Sequence, residues 1–190
     1  RAECAVLYRS NAQSRLFEER LINEGIPYRV YGGLRFFERA EIKDALAYLR
    51  LIASRHVDPA FERVVNVPTR GIGAKTVDAV RELAKTEKIS LWEAAQKLIQ
   101  SPELPARARD ALNAFLQLIE KMTRETAGLP LAEIVEHMFA GSGLIEHYKK
   151  EKGEKGESRV ENLEELINAT RGYEHDDAEG LDPLSAFLAH

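Results

Sequence analysis

Apolar residues recur every three or four positions along most of the chain, which is the spacing of helices that bury one face. Within 41–54, for example, Ile42, Leu46, Leu49 and Ile52 fall on one side of a helix. The same pattern predicts helices over 12–24, 41–54, 58–65, 75–85, 91–100, 106–125, 131–140, 144–150 and 159–170, with a short last helix from Pro183. The sequence therefore predicts a mainly α fold.

Two segments near the start depart from this spacing. Residues 4–8 (CAVLY) form a short apolar run, and residues 27–31 (PYRVY) are β-branched and aromatic, as is typical of strands. Together with the helix over 12–24 they predict a βαβ unit with a parallel strand pair, a fragment of a larger α/β subdomain. Two strands alone do not form a stable sheet, so we expect the other strands elsewhere in a longer protein. Arg1 is not an initiator residue, which favours the same interpretation.

Paired glycines mark the predicted boundary between two parts of the chain. Gly32 and Gly33 tolerate large changes in backbone angle and predict a hinge. Residues 1–33 would form the βαβ fragment and residues 34–190 a helical subdomain. Within the latter, the charged, glycine-broken stretch 149–157 (KKEKGEKGE) predicts a loop or disordered segment, and the acidic stretch 174–181 predicts another loop.

Composition is that of an ordinary globular protein, with 44% hydrophobic and 31% charged residues. The single cysteine excludes an intramolecular disulfide and fits a reducing compartment. No apolar run approaches the ~18 residues that a membrane-spanning helix needs. We therefore expect a cytoplasmic protein without membrane contact.

Charge is unevenly distributed around a net value of −4. Residues 28–55 carry six bases and three acids, whereas residues 159–190 carry two bases and eight acids. A basic front half is compatible with a local anion-binding face. Two solvated helix surfaces explain the same distribution equally well.

The stretch 64–83 (VVNVPTRGIGAKTVDAVREL) is the most informative of the chain. One helix ends, a tight turn carries Gly71, Ile72 and Gly73, and a second helix begins near residue 74. The glycines permit a sharp turn and close approach of a ligand. Ile72 can enter the core and fix the turn. The free N–H groups at the start of the second helix, with the positive end of its dipole, predict an anion site.

Side chains around this turn strengthen the prediction. Arg70 and Lys75 add positive charge, and Thr69 and Thr76 add hydroxyl donors. None of these groups is placed to read a base, so the turn would hold phosphates independently of sequence. The stretch resembles the helix-hairpin-helix phosphate-binding motif. A plain αα-hairpin with a glycine turn remains the alternative.

No catalytic template fits the chain. Residues 71–76 superficially resemble a nucleotide-binding P-loop, but only one residue separates Gly71 from Gly73, and Ala74 stands where that motif needs a glycine before its lysine. The five histidines show no metal-ligand spacing. We predict no catalytic residue, no metal and no cofactor in these residues.

Three segments together resemble one family: 5–51 (beginning AVLYRSNAQSRLFEERL), 61–76 (FERVVNVPTRGIGAKT) and 151–170 (EKGEKGESRVENLEELINAT). In this order they are similar to superfamily 1 DNA helicases of the UvrD, Rep and PcrA type. The resemblance implies a 3′-to-5′ translocase driven by ATP and Mg²⁺, with two RecA-like motor subdomains that each carry a helical insertion. It places residues 1–33 in the second motor subdomain, 2A, and residues 34–190 in its insertion, 2B.

The resemblance also implies roles for individual residues. The hairpin 69–76 would contact the duplex backbone near the junction of single and double strand, and Arg9 would lie beside the single-strand track. Arg35, with Phe36 and Arg39, would support DNA binding or the hinge, although core packing is the better interpretation of Phe36. The nucleotide-binding motifs of the family are absent, so we expect no ATPase or unwinding activity from this chain alone.

A second function stays open. The helical insertion could be a regulatory module that restrains the rest of the helicase motor and docks repair or transcription proteins. The acidic residues of 159–190 and the charged stretch 149–157 suit that role.

Overall fold

The computed structural model describes residues 4–31, 33–173 and 180–189, and its fold is mainly α. The helices are α1 (Ser14–Asn23), α2 (Ala40–Ala53), α3 (Asp58–Val64), α4 (Ala74–Glu87), α5 (Leu91–Gln100), α6 (Ala106–Thr126), α7 (Leu131–Ser142), α8 (Leu144–Lys149), α9 (Glu154–Arg171) and α10 (Pro183–Ala189). Short 3₁₀ helices cover Asn11–Gln13 and Phe36–Glu38. Each predicted helix is present with bounds close to those expected.

Helix α9 starts earlier in the chain than the sequence pattern predicted. It begins at Glu154, inside the stretch predicted as a loop or disordered segment. Gly153 adopts a φ of 77°, which breaks the chain direction after α8. Glu154 and Glu157 then occupy the first turn of α9, where carboxylates are favourable next to the helix dipole. The prediction for 149–157 is therefore corrected to a short connection followed by helix. The acidic loop predicted at 174–181 lies mostly outside the described residues.

The predicted βαβ unit is not formed in the described residues, which contain no strand. Of its three elements only α1 is present, and residues 4–8 and 27–31 pair with no neighbour. Strands need partner strands to satisfy their backbone groups, and neither segment meets one here. Cys4, predicted in a buried strand, is exposed. Leu7 is 94% and Tyr31 86% exposed, so the apolar faces of both segments remain uncovered.

Helix α2 is the centre of the core. It packs against α3, α6, α7, α9 and α10, and for this reason most of its residues are buried, including Glu41 and Asp44. Phe61 of α3 completes the core in edge-to-face contact with Phe115 at 5.6 Å and with Trp92 at 6.4 Å between ring centroids. Phe36 is 1% exposed, which confirms its expected core packing.

Polar contacts join the first residues of the chain to α9. The Ser10 hydroxyl donates to the Glu161 carboxylate, and the Arg15 guanidinium donates to Glu165 at 2.6 Å. Of the two predicted hinge glycines, Gly33 is exposed and Gly32 lies outside the described residues. The division of the chain at residues 33 and 34 therefore stays a prediction. Within the described ranges, no helix combines the length and the apolar character needed to cross a membrane.

Candidate nucleic-acid interface

The turn between α3 and α4 is held by side chains that lie outside its glycines. The Asn66 amide oxygen accepts hydrogen bonds from the backbone N–H of Arg70 at 2.7 Å and of Ile72 at 3.2 Å. The Tyr48 hydroxyl donates to the carbonyl of Val67 at 2.6 Å. Ile72 is 2% exposed, which confirms that it enters the core and fixes the turn.

The start of α4 presents unsatisfied backbone donors to the surface. Gly73 is the N-cap residue, no side chain caps the helix, and the Gly73 carbonyl accepts from Thr76 at 3.0 Å and from Val77 at 3.2 Å. The N–H groups of Gly73, Ala74 and Lys75 have no acceptor within the described part of the chain, and all three residues are exposed. Such donors at the positive end of a helix dipole form a site for an anion.

Of the two cations predicted at the turn, Lys75 is the one that faces solvent. Its side chain forms no ion pair or hydrogen bond among the described residues. Thr69 is also exposed, whereas Thr76 is only 7% exposed. Lys75 and Thr69 are therefore accessible to a ligand, and Thr76 contributes to packing.

Arg70 points into the protein. Its guanidinium donates to the carbonyls of Pro68 and Ser142, both at 2.8 Å, and lies 5.7 Å from the Tyr48 ring and 5.8 Å from the Phe115 ring. It thereby joins the turn to the end of α7. Because the guanidinium is occupied by these acceptors, Arg70 supports the shape of the turn more directly than it supplies charge to a ligand.

Burial raises the pKa of Tyr48, and the neighbouring Arg70 guanidinium only partly offsets that rise. The hydroxyl consequently stays protonated at physiological pH and remains a hydrogen-bond donor to Val67. The hydrogen bond from Tyr48 to the turn is therefore insensitive to pH near neutrality.

The two glycines of the turn differ in what they require. Gly71 has a φ of +79°, whereas Gly73 has a φ of −81°, and an added Cβ at either would meet no atom within 4 Å. We expect Gly71→Ala to destabilise the chain by about 1 to 2 kcal/mol through the left-handed backbone. Gly73→Ala should change stability by less than about 0.5 kcal/mol. Urea denaturation followed by circular dichroism measures both, and equal losses would contradict this distinction.

Arg9 and Arg35 lie apart from the hydrogen bonds of the turn. Arg9 is exposed and lines an open cavity together with Lys155 and other residues of α9. Arg35 is exposed, with its guanidinium 5.0 Å from the ring centroid of Tyr28. The predicted DNA contacts of both residues stay predictions.

Sequence reasoning missed three residues that build the site: Tyr48, Asn66 and Ser142. An asparagine just after a helix is a signal for a side-chain-to-backbone turn, so Asn66 could have been found. Tyr48 and Ser142 carry no such signal because their partners are distant in sequence. Among the described residues, no group of three histidine, cysteine or acidic side chains could hold a metal ion.

A family model, the UvrD-like helicase C-terminal domain, matches residues 1–190. The chain belongs to the UvrD-like helicase family. It is 55% identical to DNA helicase II of Escherichia coli (strain K12) over 190 residues, which are 100% of this chain and 26% of that relative. It is 38% identical to ATP-dependent DNA helicase PcrA of Bacillus subtilis (strain 168) over 173 residues, 91% of this chain and 23% of that relative.

These relatives confirm the resemblance to UvrD-type superfamily 1 helicases at the level of the family. The chain spans about a quarter of the length of the curated relatives it matches. The described part of this helicase segment is thus mainly helical, and the start of α4 at the glycine turn is exposed and has no side-chain cap. The assignment of its parts to 2A and 2B stays a prediction.

Proposed function

We propose that this chain is the part of an ATP-dependent 3′-to-5′ DNA helicase, acting in repair and replication, that contacts duplex DNA without reading its sequence. The observation that supports this most directly is the exposed start of α4. There, the N–H groups of Gly73, Ala74 and Lys75 have no acceptor among the described residues, and the Lys75 side chain is exposed and unpaired. A DNA phosphate is the anion that the names of the relatives make relevant.

Because the donors at this site are backbone groups, a contact with DNA would not depend on the base sequence. A phosphate oxygen can accept from backbone N–H groups whatever base it carries. Lys75 adds one full charge, and Thr69 adds a hydroxyl at the exposed edge. In our proposal Gly71 and Ile72 shape the turn, Gly73 leaves room for the phosphate, and Arg70 with Thr76 supports the fold from inside.

The remaining predictions belong to the same proposal. Residues 1–33 would be part of the 2A motor subdomain and residues 34–190 the 2B insertion, joined at Gly32 and Gly33. Arg9 would face the single strand, and Arg35 would support DNA binding or the hinge. ATP and Mg²⁺ would bind in other parts of a cytoplasmic helicase, so we expect no ATPase or unwinding activity from this chain by itself.

A protein-docking module remains the second candidate. The described part of α9 supports it, because the exposed carboxylates of Glu154, Glu161 and Glu164 follow one another along that helix. Repair or transcription proteins with basic surfaces would be the partners. DNA binding and docking can coexist.

Fluorescence anisotropy with a labelled DNA hairpin that carries a 3′ single-stranded tail tests the DNA contact. We expect the wild-type chain to bind weakly, with affinity falling steeply between ~50 and ~200 mM salt. Lys75→Glu should weaken binding by at least about tenfold and lower the salt dependence by about one ion, independently of DNA sequence. Lys85→Glu is the matched control, because it makes the same charge change on α4 roughly 15 Å away.

The outcomes separate the two candidates. If Lys75→Glu and Lys85→Glu weaken binding equally, the contact depends on general charge and the start of α4 is not the site. If the wild-type chain does not bind even at ~50 mM salt, the DNA proposal fails for this chain and the docking role takes its place.

A further inference from the structure

Outside the glycine turn, a connected series of charged and polar side chains, most of them buried, runs between the helices. We call this series the polar relay and define it by its seven members. They are Arg63, Asp44, Tyr148, Arg159, Glu41, Asn162 and Arg39. The proposed DNA contact uses none of them. Most are nearly inaccessible, for example Asn162 at 3%, Glu41 at 4% and Arg39 at 7% exposure.

The first half of the relay starts beside the turn. Arg63, in α3, forms an ion pair with Asp44 of α2 at 2.7 Å. The other oxygen of the Asp44 carboxylate accepts a hydrogen bond from the Tyr148 hydroxyl of α8. The Arg159 guanidinium of α9 lies 5.1 Å from the centroid of the Tyr148 ring. Three neighbouring helices are thereby joined to α3.

The second half leads to the first segment of the chain. Arg159 lies 3.7 Å from the Glu41 carboxylate, which accepts from the Asn162 amide at 2.6 Å. The Asn162 amide oxygen in turn accepts from the Arg39 guanidinium at 2.8 Å. Each buried group is thus satisfied by the next, as a low-dielectric interior requires.

Arg39 is the last member of the relay and donates hydrogen bonds to residues on both sides of the predicted hinge. Its guanidinium donates to the Asn11 carbonyl at 2.9 Å, to the Ser14 hydroxyl at 2.7 Å and to the Leu34 carbonyl at 3.3 Å. Asn11 and Ser14 precede the glycine pair and Leu34 follows it. Arg39 therefore ties residues 11–14 to the start of α2, in addition to the contacts that join Ser10, Asn11 and Arg15 to α9.

The turn reaches the relay by two routes. Arg63 lies in the last turn of α3, just before Asn66, whose amide holds the turn. Arg70 donates to the Ser142 carbonyl, and α8, which begins at Leu144, carries Tyr148. Both routes meet at the hydrogen bond between Tyr148 and Asp44.

A buried ionic series of this kind is a poor source of stability, because desolvation offsets most of its attraction, but it can fix one relative arrangement of the parts that it joins. We propose that the polar relay couples the glycine turn to the hinge region, so that a change at either end alters the packing of the other. The part of this proposal that concerns DNA rests on the proposed function.

Amide hydrogen exchange tests the coupling without DNA. Tyr148→Phe keeps the ring and removes only the hydrogen bond to Asp44. We expect it to speed exchange in residues 10–14 by at least about fivefold relative to the core helix α6, because the local opening becomes easier. Arg63→Met should do the same from the far end of the relay.

Arg81→Met is the matched control for Arg63→Met. Arg81 also forms ion pairs, with Glu62 and Asp78, but these are exposed and no relay residue takes part. Its loss should leave residues 10–14 unchanged. If Tyr148→Phe and Arg63→Met change exchange only next to the substituted residue, or change residues 10–14 and α6 alike, the relay is overturned.

The second arm adds the tailed DNA hairpin at a concentration that saturates the wild-type chain in anisotropy. We expect DNA to slow exchange in residues 10–14 of the wild type, and to do so at least about fivefold less in Tyr148→Phe although that variant still binds. If the wild type binds DNA and exchange in residues 10–14 does not slow, the proposal that DNA binding reaches the hinge region through the polar relay is overturned. Absence of binding by the wild type would instead refute the proposed function, and the first arm would still decide the relay.

Discussion

Replacing Gly156 with alanine is expected to destabilise the chain by about 2 to 3 kcal/mol, although alanine is the better helix former. Gly156 lies in α9, where an added Cβ would stand 2.1 Å from the Glu151 carbonyl oxygen and 3.1 Å from that of Tyr148. Both neighbours are backbone atoms that can move only if α8 and its connection move away from α9. The steric cost therefore exceeds the helix-propensity gain of about 1 kcal/mol. Urea denaturation followed by circular dichroism measures the difference.

Gly141→Ala provides the comparison that isolates this effect. Gly141 also lies in a helix, α7, but its added Cβ would meet the Met122 sulfur at 3.0 Å and Cγ at 3.2 Å. A methionine side chain can adjust, because it is flexible and unbranched. We expect a change in stability of less than about 1 kcal/mol in either direction. Equal losses in the two variants would show that the close approach of α8 and α9 is not the cause.

The second large effect is expected for Arg70→Met, which should lower the free energy of unfolding by about 2 kcal/mol. The substitution keeps the apolar stem and removes the charged donors that satisfy the carbonyls of Pro68 and Ser142. Ser142 is only 4% exposed, so water does not readily replace the lost donor. Differential scanning calorimetry would detect the loss as a lower midpoint temperature.

Two further measurements test whether the loss of stability comes from the buried contacts of Arg70 and whether Arg70 also binds DNA. Arg107→Met removes an exposed arginine with no partner in the described part of the chain, and should change stability by less than about 0.5 kcal/mol. In DNA binding, folded Arg70→Met should lose less affinity than Lys75→Glu. If Arg70→Met is fully stable and yet abolishes DNA binding, Arg70 acts as a phosphate ligand and its inward orientation is not the binding state.

The helices were predictable because each buries one face, and a face of this kind appears in the sequence at helical spacing. The start of α9 was not predictable in the same way. It depends on Gly156 approaching the carbonyls of Tyr148 and Glu151, a contact between elements that no local pattern reports. The charged residues and glycines of 149–157 indicated a loop there, but packing against α8 makes residues 154–157 the first turn of α9.

The strands predicted at 4–8 and 27–31 were wrong for a different reason: the sequence pattern indicated regular structure where these described residues have none. Their composition is that of strands, but a strand is stabilised by neighbours, and composition cannot supply them. The exposed Leu7 and Tyr31 indicate that both segments keep an apolar face without a covering surface. Whether such a segment forms a strand depends on residues outside the segment itself.

At the candidate site, the sequence predicted the turn, the burial of Ile72 and the exposed helix start with Lys75. It did not predict the direction of Arg70, because the Ser142 carbonyl that accepts from Arg70 is 72 positions away. Positive charge near a glycine turn favours an anion ligand only when the charge points outward. That direction is a property of the packed structure.

The uncapped start of α4 also has a consequence for how this site can vary. Its donors are N–H groups of the main chain, which every residue except proline carries. Replacing Ala74 by serine, aspartate or valine would leave those groups in place, whereas a proline there would delete one of them. The proposed phosphate site would thus depend on the path of the backbone, and we expect substitutions that unfold the turn between α3 and α4 to remove it more often than those that alter one side chain.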